Sequence, residues 1–204
     1  MDSETSMILC SCVLPTRGNP EGVARLYYSF LSLFDLGRIE LILRIDDDDV
    51  DGYKPLLEQY PEIRVIPGPR ESGYESLNHF YEALARASLG KWIWFLDDDV
   101  YFEGPNVTEV LERVPTDGTF IRPQHYQLNE SMYQNCAYGP FPMVPNKFWE
   151  QFSDFNFPQP IDDHIHSFLM SKGWVIRYLP NVTAVHDRSR DKFPLPRPAC
   201  NERH

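Results

Sequence analysis

Residues Trp92-Ile93-Trp94-Phe95-Leu96-Asp97-Asp98-Asp99 run from five apolar side chains directly into three carboxylates. The apolar part reads as a strand, short and strongly hydrophobic. Carboxylates crowded at its end repel one another, which is costly unless a cation or water offsets the charge. Hard oxygen ligands at such a position suit Mg²⁺ or Mn²⁺, held by one or two carboxylates together with substrate phosphates. The plainer alternative is a solvated acidic turn.

Moving outward, the segments before this strand alternate between strand and helix patterns. Ile8 to Leu14 is an apolar run closed by Pro15, Gly18 and Pro20. Glu21 to Phe34 repeats apolar residues at helical spacing, and Glu40 to Ile45 is a second strand stopped by Asp46 to Asp49. A helix over about Tyr53 to Tyr60, a short strand Arg64 to Ile66 and a long helix Tyr74 to Ser88 follow, with Gly90 as the helix terminator. Such alternation predicts an α/β domain, a single Rossmann-like unit with a mostly parallel central sheet flanked by helices. Ligands of these sheets bind beyond the carboxyl ends of the strands. Thr16-Arg17, Asp46 to Asp49 and Asp97 to Asp99 all stand at such ends, so they are expected to converge on one edge.

From Gly104 onward Pro, Asn, Tyr and Phe become frequent, as in Tyr138 to Pro145, and this half is expected to be loop-rich with irregular antiparallel strands. Asp162 to Lys172 reads as a helix capped by Asp162 and ended by Gly173, before strands Val175 to Leu179 and Val182 to Val185. The chain divides on this reading into a tail (1–7), a first half (8–103), a second half (104–187) and a charged, Pro-rich tail (188–204).

Composition narrows the function. A formal net charge of −11 over 204 residues argues against nucleic acid as a partner. No apolar run is long enough to span a bilayer, and the acidic start Met1 to Ser6 is unlike a secretory leader, so a cytoplasmic enzyme is expected. Cys10, Cys12, Cys136 and Cys200 lack zinc-ligand spacing, and Cys10 and Cys12 share one strand face as core thiols. The Asn-x-Ser/Thr triplets at Asn106, Asn129 and Asn181 read as coincidental.

The order of apolar strand, Asp-x-Asp, later acidic pair, helix, strand and His resembles the GT-A glycosyltransferases, especially family 2, over roughly Ile8 to His186. The resemblance implies a GT-A fold and a metal-dependent transfer of a sugar from a nucleotide-sugar donor to an acceptor hydroxyl, with inversion. A UDP-sugar is the favoured donor and a GDP-sugar the second choice; the acceptor is a glycan, a lipid-linked molecule, a small molecule or a protein. By the match, Pro15, Thr16 and Arg17 belong to the loop that contacts the nucleotide, and Asp46 or Asp47 recognises the base. Asp97 and Asp98 bind the nucleotide sugar, Asp98 at the ribose. Asp99 and His186 ligate Mn²⁺ or Mg²⁺, and Asp163 of the pair Asp162-Asp163 is the general base. Arg70 and Asn78 are further nucleotide contacts, and Arg188 and Arg190 could close over the diphosphate. The sequence departs from the family at Arg44-Ile45-Asp46-Asp47-Asp48-Asp49, where Asp-Asp-Gly-Ser is commoner, and at Asp162, where Glu is usual.

Two rivals stand beside this reading. Asp47-x-Asp49-x-Asp51-Gly52-x5-Glu58 satisfies the calcium-loop pattern of an EF-hand, although Lys54 and Pro55 fit it poorly. A sugar-nucleotide nucleotidyltransferase would share the α/β core, but residues 15–22 hold only Gly18 and Gly22 and lack a Gly-rich phosphate loop.

Overall fold

Strands too apolar to face water on either side need cover on both, and the chain supplies it with helices. In a computed structural model, which describes residues 7–35, 37–128, 131–134, 140–152 and 160–187, the first half forms β1 (Cys10–Thr16), α1 (Pro20–Leu33), β2 (Ile39–Asp46), α2 (Val50–Gln59), β3 (Arg64–Gly68), α3 (Tyr74–Ala87) and β4 (Trp92–Phe95). The second half adds β5 (Val100–Glu103), α4 (Thr108–Arg113), β6 (Thr119–Leu128), β7 (Ser131–Gln134), β8 (Met143–Pro145), a 3₁₀ turn (Asn146–Glu150), α5 (Ile161–Ser171) and β9 (Val175–His186).

The strands belong to one mixed sheet in the order β3-β2-β1-β4-β8-β6-β9-β5, with β7 paired to β6. The β3-β2-β1-β4 part is parallel throughout, as the alternation of strands and helices requires. Past β4 the direction mixes: β8 is antiparallel to β4 and β6, β9 runs parallel to β6, and β5 is antiparallel to β9. Side chains alternate between two cores. Cys10, Cys12 and Leu14 pack with α1 on one face, and Val13, Ile93 and Phe95 pack with α3 and α5 on the other. Both thiols are buried and free, as core residues. On the α1 side an aromatic cluster fastens β5 to β4, with Trp94 and Phe102 ring centroids 4.3 Å apart and Phe30 6.0 Å from Trp94. Among the described residues no helix is long and apolar enough to cross a membrane.

Several expectations need correcting. The second half is more regular than its composition implies: β6 spans ten residues, and the two strands expected after Gly173 are a single β9 with an irregularity at Asn181, where φ is +58°. Helix α2 begins at Val50, so most of the calcium-loop pattern is helical rather than wrapped around an ion. Asp162 does not cap α5. Pro160 holds that position, and Asp162 Oδ1 accepts from the Asp163 amide at 3.0 Å, inside the first turn. Gly90 does not terminate α3, whose cap is Ser88. Its lack of a side chain serves a close approach instead, since a Cβ there would lie 2.6 Å from the Ser11 amide nitrogen.

Backbone atoms cannot yield as a flexible side chain does, so Gly90→Ala should push β1 from β4. We expect a loss of about 1–3 kcal/mol in urea unfolding; a midpoint equal to wild type would show that the strands tolerate the methyl.

Candidate active site

The ends of β1, β2 and β4 meet as the parallel sheet dictates. Thr16, the last residue of β1, donates from Oγ1 to Asp98 Oδ2 at 2.5 Å and lies 2.7 Å from Tyr53 Oη of α2. The Tyr53 hydroxyl oxygen also accepts the Asn19 amide at 3.1 Å. Because Thr16 donates its one proton to Asp98, Tyr53 must donate to Thr16, and the chain Asn19–Tyr53–Thr16–Asp98 has one direction. Asn19 completes the joint. It caps α1 by accepting from the Gly22 amide, while its Nδ2 donates to the Asp98 carbonyl at 2.9 Å.

Beside this joint opens a cleft of about 520 Å³, lined by Pro15, Thr16, Arg17, Arg44, Asp46 and Asp98 together with the 71–73 segment, Leu77 and Phe80. Asp46, at the end of β2, is 3% exposed and gripped on both sides. Arg17 Nε meets its Oδ2 at 2.5 Å, and Arg44 Nη1 meets Oδ1 at 3.2 Å. Arg70 stands farther out, 3.7 Å from Asp46 but 2.9 Å from Asp48, whose carboxyl it holds below the usual range.

The third group lies at the β4 end. Asp99 Oδ1 is 2.9 Å from His186 Nε2, and His186 Nδ1 is 2.8 Å from the Tyr126 hydroxyl. Ligand atoms of Asp97, Asp99 and His186 all fall within 4.8 Å of one another, the one such trio among the described residues. Two carboxylate oxygens and an imidazole nitrogen fit Mn²⁺ or Mg²⁺ better than a thiophilic ion. The Phe141 ring lies against His186, with centroids 5.7 Å apart. Tyr81, buried under the site, has its hydroxyl 2.7 Å from the Leu96 carbonyl and 3.0 Å from Asp97 Oδ1, two acceptors that share its one proton. Burial first, then the Asp97 charge, pushes its hydroxyl pKa far up.

Two acids are held toward their neutral forms. Burial, opposed by the Thr16 and Asn19 hydrogen bonds, raises Asp98 to about 6. Burial and then the charges of Asp97 and Asp163 raise Asp162 to about 7. In the first turn of α5, Asp162 is half-buried and feels the Asp97 charge, while Asp163 is exposed.

Of the residues singled out in the sequence, Pro15, Thr16, Arg17, Asp46 and Asp98 line the cleft, and Asp97, Asp99 and His186 gather beside it. Asp47 is exposed, Asn78 is fully buried, and neither is among the cleft-lining residues. Arg188 and Arg190 lie outside the described residues. Asn19, Tyr53, Arg44, Tyr81 and Tyr126 were not anticipated. Only Asn19 carried a local mark, as the cap before Pro20 at the helix start.

A mixed sheet whose parallel part gathers carboxylates at its carboxyl edge, beside a nucleotide-sized cleft, has the architecture of a GT-A-type domain. Among solved structures it is similar to one described as the crystal structure of S. aureus TarS 1-349 in complex with UDP, at 12% identity and a TM-score of 0.61, over 89% of this chain and 61% of that one. The chain thus spans about three fifths of that structure's length. No curated protein matches the sequence significantly. A family model, Glycosyl transferase family 2, matches residues 11–178, and the chain belongs to that family.

Asp98 and Asp162 have folded pKa values above the unfolded value of about 3.9. Their contribution to stability is present below that value and is lost as pH rises through about 6 and 7. In divalent-free buffer, Asp162→Asn should therefore gain thermal stability relative to wild type between pH 5 and pH 8. A melting-temperature difference that stays flat over that range would contradict the placement of Asp162.

Proposed function

We propose that this domain is a metal-dependent glycosyltransferase that moves a sugar from a nucleotide-sugar donor, a UDP-sugar in preference to a GDP-sugar, to an acceptor hydroxyl with inversion. The observation that carries the reading is the gathering of Asp97, Asp99 and His186 beside a cleft that ends in Asp46 and Asp98. Family membership supports the sugar transfer, and the UDP in the TarS structure supports the base. Residues 8–103 then serve the donor and 104–187 the acceptor.

Each residue has a part in this scheme. Asp98, fixed by Thr16 and Asn19, faces the ribose, and Asp46 faces the base. Asp97, Asp99 and His186 would hold Mn²⁺ or Mg²⁺, whose charge would offset that of the departing diphosphate. Tyr126, bonded to His186 Nδ1, leaves Nε2 directed at Asp99 and the ion site. A base must take the acceptor's proton as its oxygen attacks the anomeric carbon and the bond to the diphosphate breaks. The sequence pointed to Asp163 for this role. Burial favours Asp162, which is half-buried and has its pKa raised to about 7 by that burial and the Asp97 charge, whereas Asp163 is exposed.

Calorimetry with UDP and GDP, with and without Mn²⁺, tests the donor site. Wild type should bind UDP in a Mn²⁺-dependent manner, and Asp99→Ala should abolish that dependence. Failure of folded wild type to bind either nucleotide would overturn the proposal. For the base, Asp162→Asn should lower kcat by roughly 10²–10⁴ with donor binding intact, and Asp163→Asn far less; the opposite ranking would return the role to Asp163.

A further inference from the structure

Among the described residues, two that are not glycine hold a left-handed backbone, Asn181 and Phe141. Asparagine visits that region readily, because its short polar side chain can bond locally. A bulky aromatic residue there is an outlier. Phe141 has φ of +54° and is 2% exposed. Glycine would take the same backbone without steric cost. Two carbonyls pin the segment instead: that of Phe141 accepts from Trp94 Nε1 at 3.0 Å, and that of Pro142 accepts from the Phe95 amide at 3.1 Å. Strain of this kind persists only where the surroundings over-determine it, and it gathers at functional sites.

What the strained residue supplies is its ring. Phe141 meets the His186 imidazole edge to face, with centroids 5.7 Å apart and planes at 72°. It also packs against Tyr126 at 6.1 Å, whose hydroxyl is bonded to His186 Nδ1. One side chain therefore backs both the imidazole and the group that orients it. Phe102 stands behind, 6.2 Å from Phe141 at 85°, and packs on Trp94. The Trp94 indole returns to the Phe141 carbonyl, so the ring and its backbone are fixed through the same core residues. An imidazole held by a single hydrogen bond can still pivot about it, and an edge-to-face wall restricts that rotation.

We infer that Phe141 is a positioning residue, which holds His186 with Nε2 turned toward Asp99, and that the strained backbone is kept because it puts the ring there. The inference rests on the ion site proposed above and adds what orients its nitrogen ligand. A ligand fixed in advance has less freedom to lose when the ion arrives, so the ring acts on ion affinity as well as on packing.

The test uses Mn²⁺ as the probe, with the free ion followed by electron paramagnetic resonance, in the presence and absence of UDP. Phe141→Gly should weaken Mn²⁺ binding by roughly tenfold or more relative to wild type. Phe141→Leu keeps apolar bulk in the core, is the gentler change for folding, and should act in the same sense. In a His186→Ala background, Phe141→Leu should change Mn²⁺ affinity no further, because the ligand it orients is gone. A merely structural ring would act alike in both backgrounds. Urea unfolding checks the strain: Phe141→Gly should have a higher midpoint than Phe141→Ala, whose Cβ keeps the unfavourable backbone. Wild-type Mn²⁺ affinity in a folded Phe141 variant would overturn the inference. So would an equal effect with and without His186, or a more stable Ala than Gly variant. Wild type that binds no Mn²⁺, with or without UDP, would overturn it together with the ion site itself.

Discussion

Carboxylates at the end of a buried strand repel each other and lose hydration at the same time, and the architecture around β4 answers both costs. Asp98 is taken up by the Thr16 hydroxyl, itself oriented by Tyr53 and through it by the Asn19 amide. Asp97 receives the Tyr81 hydroxyl from α3, and Asp99 meets His186 at the end of β9. One short acidic run therefore draws on α1, α2, α3 and the last strand. The site and the joints of the fold are largely the same contacts, so a ligand at this edge would meet groups whose positions the fold already fixes by hydrogen bonds.

Much of the first half was legible because each element carries its own local mark. β1, β2 and β4 are apolar runs closed by Pro or Asp, and α1 and α3 repeat apolar residues at helical spacing. A parallel sheet then requires that the groups after those strands share an edge. What stayed hidden depends on three-dimensional phase. Asp162 and Asp163 are equivalent in sequence, and about 100° of helical rotation separates the half-buried one from the exposed one. β6 was unreadable as a strand because Pro123 interrupts it and polar residues fill its second part, which pairs with β7 and β9 rather than entering the core. The calcium-loop pattern misled for a related reason. It specifies ligand types at fixed spacing but says nothing about backbone shape, and from Val50 the backbone is helical.

Net charge poses the remaining electrostatic question: how an anionic donor enters an acidic protein. The guanidinium groups at the cleft are already engaged, Arg17 and Arg44 with Asp46 and Arg70 with Asp48. They shape the cleft and orient what enters, yet they add little net positive field there. A diphosphate brought near Asp97 and Asp99 would meet two more negative charges. A divalent cation held at those carboxylates would reverse the local sign and supply charge that favours a diphosphate there. Ion and nucleotide would then each raise the affinity of the other by the same factor, as linkage demands. On the proposed function, the acidic run at the end of β4 would be less an obstacle to an anionic substrate than the feature that makes its binding conditional on a metal.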